Sequence, residues 1–180
     1  MSKALADRLE ASYISLTDLV KDEDLTLGVD KERGALIADL RKLSKRVKDL
    51  ISKATGDIIV EGHYASDVVP PDRASYVFVL RRDPRDLKVK LEEREYGEKK
   101  VLENVASEAL DVCLSNAVDR YGVERVDEID MTGLDVEGVV REILQVLNGQ
   151  TPTRVGKVDW LGVLEAEGRL DEFLSKINWL

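Results

Sequence analysis

The stretch Asp57-Ile58-Ile59-Val60-Glu61-Gly62-His63 decides how the rest of the chain is read. Three branched apolar residues in a row predict a short strand buried on both faces, as parallel sheets require. In open α/β sheets ligands bind beyond the carboxyl ends of the strands. This strand would present there a carboxylate, a flexible glycine and the chain's only histidine. The same pattern also fits an ordinary buried strand with an acidic end, so the seven residues define a candidate site but not its chemistry.

The 180 residues suffice for one domain with a full core. Hydrophobic residues make up 43% and charged residues 35%, which excludes disorder and gives a surface dense in both signs of charge. The net charge of -9 argues against a nucleic-acid coat, although a local basic patch can still contact phosphates; no direct nucleic-acid binding is expected. Cys113 stands alone, so no intramolecular disulfide forms and a reducing cytoplasm is the natural compartment. No apolar run approaches a membrane span and no signal-peptide pattern opens the chain. A soluble monomer is expected.

In chain order, Leu5 and Leu9 mark an amphipathic helix over Ser2 to Glu10, and Ala11 to Leu16 reads as a short strand leading to a cap at Thr17-Asp18. Asp22 to Asp30 reads as an acidic loop or flap. From Glu32 to Lys53, Leu36, Leu40, Leu43, Val47 and Leu50 recur at helical spacing with Lys and Arg on the other face, and Gly56 would end that helix. A turn over Val68 to Pro71 precedes a second buried strand, Tyr76 to Leu80. Asp83-Pro84 then caps a helix that Leu87 and Leu91 would hold to the sheet. Arg81 to Lys100 is strongly basic, with a break at Glu95-Tyr96-Gly97. A helix over Val101 to Tyr121 and a strand over Val126 to Asp130 come next. A helix capped by Asp135 and buried through Val139, Val140, Ile143, Leu144 and Leu147 would end at Asn148-Gly149. This alternation is the order of a parallel three-layer α/β domain. Residues 1–150 are expected to form it, with 151–180 as a C-terminal appendage.

One cysteine and one histidine cannot build a structural zinc site, and no Gly-x-Ser-x-Gly elbow exists for His63 to serve. The phosphate-binding pattern Gly-x-x-x-x-Gly-Lys-Ser/Thr occurs nowhere in the 180 residues. That matters because other segments resemble one P-loop family. They are Tyr13 to Leu16, Val60 to His63, Val79 to Leu87, Leu91 to Tyr96, Glu103 to Glu108 and Gly156 to Trp160. In this order the chain resembles the archaeal adenylate kinase family, relatives of the eukaryotic nuclear adenylate kinase that assists small-subunit ribosome maturation.

The resemblance implies a P-loop nucleoside-monophosphate-kinase-like sheet of order 2-3-1-4-5. Residues 15–38 would form the monophosphate-binding flap and 94–104 the lid. The implied reaction is ATP plus AMP to two ADP, with ATPase activity. ATP and Mg²⁺ are the implied cofactors, AMP the acceptor, and a small-subunit ribosomal protein the implied partner; a non-catalytic ribosome-assembly factor is the alternative. Glu61 would organise Mg²⁺ through water. His63 would orient the nucleophile, Arg94 would approach the ATP phosphates from the lid, and Arg81 would act at the end of the preceding strand. In the family the first, central strand and the P-loop precede the segment matched by Ser2 to Leu9. The expectation is therefore that Met1 falls inside the first helix and that the sheet is broken beside Asp57 to Glu61.

Overall fold

The computed structural model describes residues 1–31 and 33–177. They fall into two compact units, residues 1–75 with 136–144, and residues 76–135 with 145 onward.

In the first unit, helix α1 (Ser2–Leu9) buries Leu5 and Ala6 and ends at Glu10, whose backbone is left-handed with φ 52°. Strand β1 (Ser12–Ser15) follows and helix α2 (Leu16–Asp22) begins at once. Its cap is Ser15, whose hydroxyl accepts the Asp18 N–H at 3.3 Å, rather than the expected Thr17-Asp18 pair. The expected acidic loop and the first part of the expected 32–53 helix are instead a hairpin of β2 (Thr26–Asp30) and β3 (Ala35–Ala38), antiparallel with Val29 opposite Leu36. Glu32, where the helical reading began, lies outside the described residues. Leu36 sits at helical spacing from Leu40, but the carboxylate of Asp39 accepts the N–H groups of Arg41 and Lys42 at 3.1 Å and fixes the start of α3 (Leu40–Lys53). That helix ends at Ala54 in extended conformation, so Gly56 is not its cap.

Strand β4 (Ile58–Glu61) pairs in parallel with β1, in the register Ser12 with Ile58 through Ser15 with Glu61. Its residues are half-buried, not enclosed on both faces as the apolar run suggested. The short helix α4 (Ala65–Val68) and a 3-10 turn at Pro71–Arg73 occupy the expected two-proline turn. Leu16, Val20, Ala38, Leu43, Val47, Val68 and Val69 make this unit's core.

In the second unit, β5 (Val77–Arg81) leads through an Asp83 cap, which accepts the Arg85 N–H at 2.8 Å, into α5 (Pro84–Glu92). Leu87 and Leu91 pack against Val101, Val105 and Phe173, so these leucines hold α5 to other helices rather than to the sheet as expected. Glu95 turns the chain with φ 59° and Gly97 caps α6 (Glu98–Ala109). The expected single helix over 101–121 is two. Asp111 takes a left-handed conformation, which Asp tolerates, and α7 (Val112–Tyr121) starts in a new direction. Strand β6 (Val126–Asp130) pairs in parallel with β5 from Val77–Val126 to Arg81–Asp130.

Helix α8 (Val136–Leu147) buries Val139, Val140, Ile143 and Val146; Val146 takes the place expected of Leu144 and Leu147, and Gly149 with φ 68° follows the helix. Residues 153–157 then run beside β6, with the Glu128 N–H donating to the Arg154 carbonyl at 2.9 Å. Helices α9 (Trp160–Ala166) and α10 (Leu170–Ile177) complete the described chain.

The fold is thus mixed α/β, with small parallel sheets and helices of the P-loop kinase type. The expected order 2-3-1-4-5 contains the neighbours 2-3 and 4-5, and both are present as the parallel pairs β1-β4 and β5-β6. Met1 to Glu10 supplies a helix, so strand 1 of that order has no counterpart among the described residues. Among those residues no helix is long and apolar enough to cross a membrane.

Candidate functional site

The end of β4 is built around Gly62. Its φ of 140° suits glycine, and a Cβ there would meet the Leu16 Cβ at 2.9 Å. Leu16 is buried in the core, so glycine lets the backbone close over it. The chain then turns, the Ala65 N–H returning to the Gly62 carbonyl at 3.0 Å, and His63 emerges exposed with its ring 3.8 Å from that of Tyr64. Glu61 is oriented from two sides: the Ser2 hydroxyl donates to its Oε2 at 3.1 Å, and the Tyr13 phenol is its second hydrogen-bonding neighbour. Burial, and then the hydrogen bond to Glu61, push the Tyr13 phenol above its ordinary pKa. Both of these neighbours are hydroxyls, and neither is a cation.

Mg²⁺ commonly takes one or two carboxylates and completes its shell with water and phosphate oxygens. Among the described residues no group of three or more His, Cys, Asp and Glu is placed to hold a metal. Glu61 supplies one carboxylate, the ligand type that Mg²⁺ takes.

The end of β5 is organised in the opposite way. Arg81 is 1% exposed and meets three carboxylates. Its Nε donates to Glu108 Oε1 at 2.8 Å, its Nη1 to Glu128 and its Nη2 to Asp111, with the Glu108 carbonyl a further acceptor at 3.0 Å. Burial disfavours the guanidinium charge, but Glu108 and Asp111 outweigh it and hold the group above its ordinary pKa. Glu108 Oε1 also accepts the Arg82 N–H at 3.1 Å and the Trp160 indole N–H at 2.9 Å. Glu128 accepts the Lys157 N–H at 2.6 Å. Beside it Asp127 binds the Arg154 N–H at 2.7 Å and Lys157 Nζ at 3.0 Å through Oδ1, while its buried Oδ2 has no partner among the described residues.

Arg94 is exposed just past α5, beside the left-handed Glu95. Lys100 Nζ lies 3.8 Å from the Tyr96 ring centroid two residues on. The nine residues of α5 set Arg94 about 14 Å along the helix from its start near Arg81. The fold therefore brings Glu61 and His63 to one strand end, and it separates Arg94 from Arg81 by the length of a helix.

Several participants were not singled out in the sequence. Ser2 gives no signal of its own, and Tyr13 opens the first of the segments that carried the resemblance. Glu108 and Trp160 lie inside two of the segments that carried the resemblance, and those segments meet the Val79 to Leu87 segment at the Glu108 carboxylate. A further feature is a depression of about 490 Å³ on α3, lined by Leu40, Arg41, Ser44, Lys45 and Lys48.

The sequence model of a family described as "AAA domain" matches residues 1–111. A protein of Methanocaldococcus jannaschii named "Putative adenylate kinase" is 39% identical over 160 residues, covering 89% of this chain and 84% of its own. Proteins of the same name from Methanococcus maripaludis and Pyrococcus furiosus are 37% and 35% identical, covering 84% and 92% of this chain and 80% and 86% of their own. With this extent of match on both sides, and the 2-3 and 4-5 strand pairs of such a kinase in place, the chain belongs to the AAA-domain family of archaeal proteins named putative adenylate kinase.

Proposed function

We propose that the protein is a nucleoside monophosphate kinase of adenylate type, moving the γ-phosphate of ATP to AMP to give two ADP, with water as an alternative acceptor in an ATPase reaction. The observation that carries this reading is the end of β4, where an oriented Glu61, a glycine whose φ and close approach to Leu16 would strain any side chain, and an exposed His63 follow one another. Phosphoryl transfer needs in-line positioning and stabilisation of spread negative charge rather than covalent catalysis. Glu61 would hold Mg²⁺ through water, and that ion would supply neutralisation of phosphate charge. His63 orients the acceptor oxygen, and Arg94, exposed beside a break in the chain, covers the transferring group. Arg81 is spent on three carboxylates, and its part is to position the end of β5. The β2–β3 hairpin belongs to a flap over residues 15–38, and residues 94–104 to a lid; ATP and AMP are the ligands.

A second reading is a non-catalytic assembly factor that engages a small-subunit ribosomal protein. These 180 residues contain no Gly-x-x-x-x-Gly-Lys-Ser/Thr. Without that ring of backbone N–H groups and its lysine, the chain alone should bind ATP weakly. The test pairs Mg-ATP titration calorimetry with a coupled ADP-formation assay in the presence of AMP. Weak but measurable transfer that Arg94→Ala lowers by about 10²-fold or more supports the kinase reading. Complete absence of nucleotide binding supports the assembly factor. Turnover near about 10 s⁻¹ that survives Arg94→Ala would overturn these residue roles.

A further inference from the structure

Helix α3 departs from the acidic character of the chain. It carries Arg41, Lys42, Lys45, Arg46, Lys48 and Lys53 against a single acid, Asp49. Half of these cations are neutralised locally: Arg46 by Glu23 and Asp49, Lys53 by Asp49, and Lys42 by Asp39. Arg41, Lys45 and Lys48 are exposed and have no acidic partner among the described residues. They stand at i, i+4 and i+7, hence on one face, and with Ser44 and Leu40 they line the 490 Å³ depression.

At a rise of about 1.5 Å per residue the three charges span roughly 10 Å along the axis. One phosphate group cannot meet all three. Successive phosphates of a strand can, since they follow at about 3.4 Å per nucleotide even when stacked. The opposite face of α3 buries Leu43 and Val47 completely, so the helix has no apolar face to lay into a lipid surface. Leu40 is the depression's one large apolar residue and it contains no aromatic. Protein interfaces are depleted of lysine and carry an apolar core, whereas nucleic-acid interfaces are polar and positive. We propose that this face of α3 binds the phosphate backbone of a single-stranded nucleic acid without reading its bases. Net charge alone had argued against such a partner; the local pairing of charges on α3 reverses that inference for this one face.

The test is fluorescence anisotropy of a labelled twenty-nucleotide oligouridylate over a salt series. Each single-strand phosphate contact contributes about -0.7 to the slope of log affinity against log salt, so three contacts give about -2. Lys45→Ala with Lys48→Ala should flatten the slope by about 1.4 and weaken binding about tenfold or more at low salt. Lys3→Ala with Lys90→Ala removes equal charge from exposed positions elsewhere and should leave the slope unchanged. Equal losses from both pairs, or no binding at low salt by a chain shown folded by circular dichroism, would overturn the proposal. So would displacement by polyglutamate as effective as by unlabelled oligouridylate, which marks an acidic-protein site, or displacement by micromolar AMP, which marks a nucleotide subsite.

Discussion

Two parallel strands end on charged residues, and the two ends are handled in opposite ways. At β4 the carboxylate of Glu61 touches two neutral hydroxyls and the next side chains reach the surface. At β5 the guanidinium of Arg81 is buried and saturated by Glu108, Asp111 and Glu128. A charge left free of opposite charge is available to a ligand. A charge that has been neutralised inside the protein has become part of the framework, and it is costly to disturb. The difference is one of solvation and partners; both residues are the last of a short strand at the edge of a helix.

Arg81→Ala tests the comparison hardest. It strands three carboxylates around a buried hole, and a loss of about 3 to 5 kcal/mol in urea unfolding is expected. A small stability change with a large loss of phosphoryl transfer would instead give Arg81 a direct role. Gly62→Ala comes next, because its Cβ must displace Leu16 and its φ is strained. The expected loss is about 1 to 3 kcal/mol, read from the same denaturation curves, and an unaffected variant would mean that the end of β4 rearranges freely. Glu61→Gln should stay within about 0.5 kcal/mol of the parent in the same measurement while Mg²⁺-dependent nucleotide binding falls in calorimetry.

The smallest effects are those of pH, and the two units should respond at opposite limits. The hydrogen bond from Arg85, more than desolvation opposes it, holds Asp83 below its ordinary pKa. The cap's contribution is therefore present above the unfolded value of about 3.9 and is lost as pH falls below it. Tyr13 is raised, so its contribution is present below about 10 and is lost as pH rises further. Unfolding midpoints against pH should show both limbs, with Asp83→Asn flattening the acid one and Tyr13→Phe the alkaline one.

The strands and the Asp83 cap were legible in the sequence because each depends on adjacent residues: an apolar run for β4 and β5, an Asp-Pro pair for α5. The β2–β3 hairpin was not. Leu36 lies at a spacing that serves a helix or a strand, and the decision rests on Asp39 capping α3 and on cross-strand pairing that local pattern does not contain. The break at Asp111 was hidden for a related reason, since the apolar stripe continues across it while the carboxylate is drawn to Arg81, thirty positions earlier in the chain. Glu61 and His63 could be placed beside each other because a single residue, Gly62, separates them. That Arg81 is enclosed could not be read at all, because its partners come from α6, β6 and the turn before α7.

The contacts of residues 153–160 bear on where this protein can be cut. Cleavage between Gly149 and Thr153 followed by loss of the released fragment would strip Glu108 of the Trp160 indole, Glu128 of the Lys157 amide and Asp127 of both its donors. Glu108, Asp111 and Glu128 would then be left to Arg81 with fewer donors, and the buried Asp127 would lose both of its own. A protease working on the native protein should accordingly leave the nicked pieces associated, and a gene trimmed at that point should yield insoluble product.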